Sequence, residues 1–206
     1  MLRYRDEKFF YLRKFAELLI AHLHHERNNI TEPKIILVVC SGNIERSVVA
    51  ERCINQALKV RGLDKDFVAV SRGLQKASPP VGKNLKDYEN EWSASSPVLQ
   101  EIGIDISDVK STPVDLSIVE KALLILAMDR GVLIGKPNSL AKQFPEHGYK
   151  MRLFTELAGN IEDVEDPYGH KDQETHRRVI ELIHSVSTER LDALLNYVKL
   201  FQKGGR

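Results

Sequence analysis

The chain is short of cysteine: among its 206 residues only Cys40 and Cys53 carry a thiol. Two cysteines exclude a disulfide framework and a cysteine-built zinc site, and they fit a reducing compartment. An excess of either charge is also missing, with 30 Lys and Arg against 29 Asp and Glu and a formal net charge of +1. No basic stripe with interleaved aromatics breaks that balance, which sets nucleic acid aside. Nor is there an apolar run of membrane-spanning length at the start: residues 1–33 carry charges throughout, so neither a signal peptide nor an anchor is indicated. The expected location is cytoplasmic, where the match of Asn29-Ile30-Thr31 to a glycosylation sequon carries no meaning. Internal repeats and low-complexity tracts are absent. What is present is an ordinary globular composition, 42% hydrophobic and 29% charged, over a length that suits one large domain with or without an appendage.

Hydrophobic periodicity divides the chain. Phe9, Leu12, Phe15, Ala16, Leu19 and Leu23 recur at helical spacing, so an amphipathic helix over residues 6–28 is expected, ended by Asn28 and Asn29. Residues 1–33 then form an N-terminal helical extension to a domain of residues 34–206. Such a helix either covers the domain's helical layer or pairs two copies as a homodimer. Residues 34–39, Lys-Ile-Ile-Leu-Val-Val, form a continuous apolar run that suits a strand buried on both faces. A helix over 47–58, a strand over 67–70, a loop over 73–86 that includes Pro79 and Pro80, and a helix over 91–102 follow. Further strands are expected over 122–127 and 150–154. Val179, Leu182, Ile183, Val186, Leu191, Leu194, Leu195 and Val198 trace one face of a long closing helix. Strands alternating with helices predict an α/β fold, a doubly wound four-stranded parallel sheet with flanking helices.

In such sheets ligands bind beyond the carboxyl ends of the strands. Cys40-Ser41-Gly42-Asn43-Ile44-Glu45-Arg46-Ser47 occupies that position after the first strand. Backbone N–H groups of a tight loop entering a helix make an anion cradle, and the same field favours a thiolate, the reactive form of cysteine. Arg46 brings a planar fork of donors that matches two phosphate oxygens. Gly42 allows close backbone approach or positive φ, Asn43 tolerates a left-handed turn, and Ser47 is placed to hydrogen-bond the sulfur. Taken alone, a cysteine six residues before an arginine has a plainer reading, a buried thiol and a surface guanidinium; the surrounding strand, turn and helix pattern argue against it.

The strand followed by Cys40-x-Gly42-Asn43-x-x-Arg46-Ser47 resembles the signature of the low-molecular-weight protein tyrosine phosphatases. Glu165-Asp166-Pro167-Tyr168-Gly169 resembles that family's general-acid loop, and Gly103-Ile104-Asp105-Ile106-Ser107 and Ala127-Met128-Asp129-Arg130 resemble segments between the two, in the expected order. The resemblance covers about residues 34–200. It implies a phosphatase acting on phosphotyrosine proteins or small aryl phosphates, with Cys40 as nucleophile, Arg46 as phosphate clamp and Asp166 as proton donor. Ser41, Gly42, Asn43, Ile44, Glu45, Ser47 and Tyr168 would contact substrate. No metal and no organic cofactor enters such a reaction.

The pattern is broken in places. The family usually has a second cysteine before the loop arginine, where this chain has Glu45, so a reversible disulfide between loop neighbours is ruled out. A carboxylate there would repel a phosphate dianion. Arg72, where relatives have a small residue, is expected to pair with Glu45; the alternative is a solvated Glu45. Ile44 favours an aryl phosphate, since relatives acting on phosphoarginine tend to carry threonine there. Tyr88 or Trp92 is placed to stack on a substrate ring or to anchor the core. Gly169 and His170 leave the wall beyond Tyr168 open where relatives have a second aromatic. Gly131-Val-Leu-Ile-Gly135-Lys136 is one residue short of a nucleotide-binding loop and is rejected. His22, His24 and His25 are assigned to a solvated face, and His147, His170, His176 and His184 show no ligand spacing. The rivals on the same scaffold are a protein-arginine phosphatase, an arsenate reductase, for which Cys53 is a poor relay, and a phosphate-binding regulator without turnover.

Overall fold

Residue 34 begins the first of four parallel strands; the first and third follow their apolar runs, while the second continues past the expected 67–70 to Gly73, where a loop is expected to begin. The computed structural model describes residues 32–74 and 81–204. The expected N-terminal helix, His22, His24 and His25, and Pro79 and Pro80 lie outside the described residues. Strand β1 (Lys34–Cys40) is flanked by β2 (Phe67–Gly73) on one side and β3 (Ala122–Ala127) on the other, and β4 (Met151–Leu153) pairs with β3. The order is therefore β2-β1-β3-β4, all parallel, with the change of winding direction beside β1.

Alternation along β1 distributes its side chains between two cores. Ile36, Val38 and Cys40 face one, with α1 (Arg46–Val60), α2 (Glu89–Glu101), α5 (Gln173–Glu189) and α6 (Leu191–Gly204) supplying residues such as Val49, Val98, Ile183 and Leu194. Leu37 and Val39 face the other, against Val119 of α3 (Leu116–Lys121) and Leu140 of α4 (Leu140–Gln143). Burial on both faces explains why the run is apolar without a break. Cys53 is a fully buried member of the first core, and burial pushes its thiol up to about 12; it is a packing residue.

Two expectations are corrected. The closing helix is two helices, broken at Arg190, whose backbone takes φ −107° and ψ 20° at the end of α5. Just upstream, the Thr188 hydroxyl donates to the His184 carbonyl at 2.8 Å, a side-chain bond that bends helices. The bend lets Leu191, Leu194 and Val198 reach the core, while Leu182 stays 40% exposed. The fourth strand starts one residue later than expected, because Lys150 turns inward to donate to the carbonyls of Val119 at 2.8 Å and Ala122 at 2.7 Å. It thereby caps the end of α3, and burial pulls its ammonium below the usual lysine range. Among the described residues no helix is long and apolar enough to cross a membrane.

Candidate active site

Cys40 ends β1 beside the winding change, and the chain then turns through residues 41–45 into α1, whose first residues are Arg46 and Ser47. Asn43 makes that turn in a left-handed conformation, φ 55°. An asparagine tolerates this strain when its amide is satisfied. Here the amide nitrogen donates to Ser47 Oγ at 3.1 Å and Ser71 Oγ at 2.9 Å, and its oxygen accepts from the Thr112 backbone at 2.9 Å. The Asn43 backbone N–H points at Cys40 Sγ, 3.1 Å away, and Ser47 Oγ lies at the same distance from the sulfur. Both groups are thus in place to hydrogen-bond the sulfur.

Gly73, the last residue of β2, presses on this loop. A Cβ there would lie 3.0 Å from Gly42 C and 3.1 Å from Asn43 N, so any side chain would press the loop backbone aside by a few tenths of an ångström. Gly73 was not singled out in the sequence; its place opposite Cys40 in the register is the only signal for it.

Arg46 is 2% exposed. Its Nη1 donates to Asp129 Oδ2 and to the Val164 carbonyl, both at 2.8 Å, and its Nη2 donates to Asp166 Oδ2 at 2.5 Å. Burial would lower its pKa, but the opposing charges of Cys40, Asp166 and Asp129 outweigh this and raise it. Asp129, at the end of β3, was visible only as part of a familiar segment; its other oxygen accepts from the Val132 backbone at 2.7 Å, which fixes the carboxylate.

The loop bearing Asp166 is tied at several points. Val164 N–H donates to the Met128 carbonyl at 2.8 Å, Glu165 pairs with Arg178 at 2.6 Å, and Gly169 N–H donates to Glu91 Oε1 at 3.2 Å. Cys40, Ser41, Gly42, Ile44, Glu45, Arg46, Asp166 and Tyr168 line one cleft, together with Leu85, Tyr88 and Glu91. Asn43 and Ser47 lie behind it as supports. Tyr88 meets Tyr168 edge-on, ring centroids 5.9 Å apart. An aromatic partner for Tyr168 thus comes from another part of the chain. Trp92 packs against the first core, with the Lys86 ammonium 5.3 Å from its ring centre. Lys136, rejected as part of a nucleotide loop, instead hydrogen-bonds Ser41 Oγ at the rim.

The expected Glu45–Arg72 pair is overturned. Glu45 is buried at 6% exposure and its Oε1 accepts from Ser95 Oγ at 2.7 Å and lies 3.0 Å from His176 Nδ1. Arg72 is turned the other way, its guanidinium donating to the Ser71 carbonyl at 2.7 Å. Helices α2 and α5 bring Ser95 and His176 to the carboxylate. A solvated Glu45 is excluded by the same burial. Among the described residues no group of three or more His, Cys, Asp or Glu side chains is disposed to hold a metal ion.

The arrangement is suited to a tetrahedral oxyanion: a sulfur at the base with the Asn43 N–H aimed at it, a guanidinium beside it and a carboxyl at the rim. The chain is similar to known proteins over most of its length. The family model for low molecular weight phosphotyrosine protein phosphatase matches residues 35–200. The protein named probable low molecular weight protein-tyrosine-phosphatase EpsP, of Ralstonia solanacearum, is 34% identical over 137 residues, 66% of this chain and 79% of that protein. Among solved structures, Vibrio vulnificus Wzb in complex with benzylphosphonate is 26% identical with a TM-score of 0.63, covering 77% of this chain and 97% of that one. The YwlE arginine phosphatase of Geobacillus stearothermophilus superposes with a TM-score of 0.61 over 84% of this chain and 98% of that one, at 23% identity. That last likeness is one of fold.

Proposed function

Because the chain belongs to the low molecular weight phosphotyrosine protein phosphatase family, we propose that it hydrolyses phosphotyrosine in proteins through a phosphocysteine on Cys40. The supporting observation is the convergence of Cys40, Arg46 and Asp166 on one cleft walled by Ile44, Leu85, Tyr88 and Tyr168. In the first step the Cys40 thiolate attacks phosphorus in line. A sulfur–phosphorus bond forms, the phosphorus–oxygen bond breaks, and Asp166 gives its proton to the departing phenolic oxygen. In the second, water attacks the thiophosphate while Asp166 takes its proton, and Cys40 leaves as thiolate toward Ser47 Oγ. Arg46 and the loop amides hold the equatorial oxygens through both steps.

The aromatic slot supports an aryl substrate. A flat ring entering between Ile44 and the Tyr88–Tyr168 pair gains apolar contact on both faces. The benzylphosphonate held by Wzb is a ligand of that kind. Arsenate reduction is disfavoured by Cys53, which is fully buried and unable to relay electrons from the loop.

Side-by-side assays with a phosphotyrosine peptide and a phosphoarginine peptide test the reading, with Cys40→Ser and Asp166→Ala as controls. Faster turnover of phosphotyrosine is expected. Preference for phosphoarginine would replace the substrate, and phosphopeptide binding without phosphate release would make the protein a binding module.

A further inference from the structure

Glu45 is an odd neighbour for a phosphate. Its carboxylate is buried one residue before the clamp, yet Arg46 directs three of its five donors to Asp129, Val164 and Asp166. What faces Glu45 is Ser95 on α2 and His176 on α5, both fully buried.

The contacts of this trio call for one more proton than a neutral imidazole beside a carboxylate supplies. His176 Nε2 is 3.0 Å from the His170 carbonyl, which only accepts, so Nε2 carries a hydrogen. His176 Nδ1 is 2.7 Å from Ser95 Oγ and 3.0 Å from Glu45 Oε1, while Ser95 Oγ is 2.7 Å from the same Glu45 oxygen. Ser95 has one hydrogen to give. If the imidazole were neutral and Glu45 ionised, that single hydrogen would serve three close contacts, and Nδ1 would face a carboxylate oxygen lone pair to lone pair. One further proton removes the conflict; held on Nδ1, it is donated to Glu45 while Ser95 donates alongside it, and held on Glu45 it would be donated to Nδ1. Ser95 and His176 are shut off from water and Glu45 is nearly so, and an unsatisfied contact there is costly.

We propose that His176 is a positioning residue for the phosphate loop, an imidazolium that cancels the charge of Glu45 so that the loop can take an anion beside a buried carboxylate. This rests on the reading of the loop as a phosphate cradle. The other groups facing His176 agree with it: Glu91 from α2 adds negative charge, and the segment before α5 contributes the His170 carbonyl. Burial pulls the imidazole's pKa down, but the hydrogen bond and charge of Glu45 outweigh it, so the net shift is upward. The pair ties α5 to the loop only while that proton is held. When it is lost at alkaline pH, a net negative charge remains beside the cradle and phosphate affinity falls.

The first measurement uses the full chain without substitution: nitrogen-15 NMR of histidine-labelled protein at about pH 6.5, the ordinary imidazole midpoint. Both ring nitrogens of His176 are expected in the protonated form; a neutral single tautomer overturns the proposal. The second is the inhibition constant of inorganic phosphate at about the same pH. His176→Gln is expected to weaken phosphate about tenfold, the effect of one uncompensated nearby charge, and His176→Gln with Glu45→Gln to restore it to within about threefold. A double variant as weak as the single one, or a single variant as tight as the parent, overturns the proposal, and if His176→Gln fails to fold the NMR result decides. Parent protein that neither binds phosphate nor turns over phosphotyrosine defeats the phosphatase reading, whereas an active parent with a neutral His176 defeats only this inference.

Discussion

Asp166 Oδ2 lies 2.5 Å from Arg46 Nη2, so the proposed acid and the proposed clamp are bonded to each other across the mouth of the cleft. An incoming phosphate competes with Asp166 for that guanidinium edge. Asp166→Asn is therefore expected to separate two quantities. Turnover of aryl phosphates with poor leaving groups should fall by about 10²–10⁴-fold, the usual worth of a positioned acid. Binding of phosphate, measured as competitive inhibition, should hold or tighten. Weaker phosphate binding in this variant would show that the carboxylate supports the clamp instead of competing with the ligand.

Arg46→Lys keeps the charge and loses the fork. A lysine ammonium has no second planar edge with which to serve Asp129, Val164 and an oxyanion together. Loss of about 10²–10³-fold in kcat is expected, in line with removal of a single oxyanion donor. Single-turnover measurement of phosphocysteine formation reads this directly.

Gly73→Ala tests the packing beneath the loop. The added methyl would sit 3.0 Å from Gly42 C, against backbone that cannot swing aside as a side chain would. The loop must shift, so kcat/KM should drop by about 10²-fold, the cost of a small misplacement, while thermal unfolding changes little. Unchanged kinetics would mean that the loop adjusts without loss.

Stability should carry the signature of His176. Its pKa is raised in the folded protein, the opposing pull of burial being outweighed by Glu45. A raised value means that the folded state holds the proton more tightly than the unfolded chain. The stabilisation is fully present below the ordinary histidine range and is lost as pH rises through the raised value. The melting temperature of the parent, minus that of His176→Gln, should thus shrink from about pH 6 to about pH 9. A difference that grows over this span would reverse the assigned sign.

Oxidation should end differently here than in a loop with paired cysteines. Cys53 is fully buried in the first core, and Glu45 fills the place beside Arg46. Peroxide-treated protein should yield sulfenic and then sulfinic Cys40 by mass spectrometry, with no Cys40–Cys53 disulfide. Thiol treatment should recover activity only at the early stage. A disulfide between the two would refute this.

The parts legible in the sequence were those whose causes are local. Residues 34–39 and 122–127 declare buried strands because both faces must be apolar, and Cys40 through Ser47 declare a cradle because strand, turn and helix start are consecutive. Asp166 needed the likeness of a second motif, since nothing local separates it from a turn aspartate. Partners across the fold stayed hidden. Glu45 and His176 are 131 positions apart, and no periodicity links them; charge complementarity suggested Arg72, which the packing of α5 overrules. The same holds for Tyr88, which meets Tyr168 only because the 3-10 turn Leu85–Asp87 swings its ring to the cleft. The break at Arg190 was masked because both halves of the closing segment keep apolar residues toward one core.

Strand β4 is three residues long and paired on one side only, to β3. The chain leaving that frail margin is the one that carries the proposed proton donor, whereas the thiol hangs from β1, an inner strand paired on both sides. Mild denaturant or heat should therefore fray the margin first. The protein would then pass through a state that still grips phosphorylated ligand but has lost the means to release it, a trap produced by partial melting instead of by substitution.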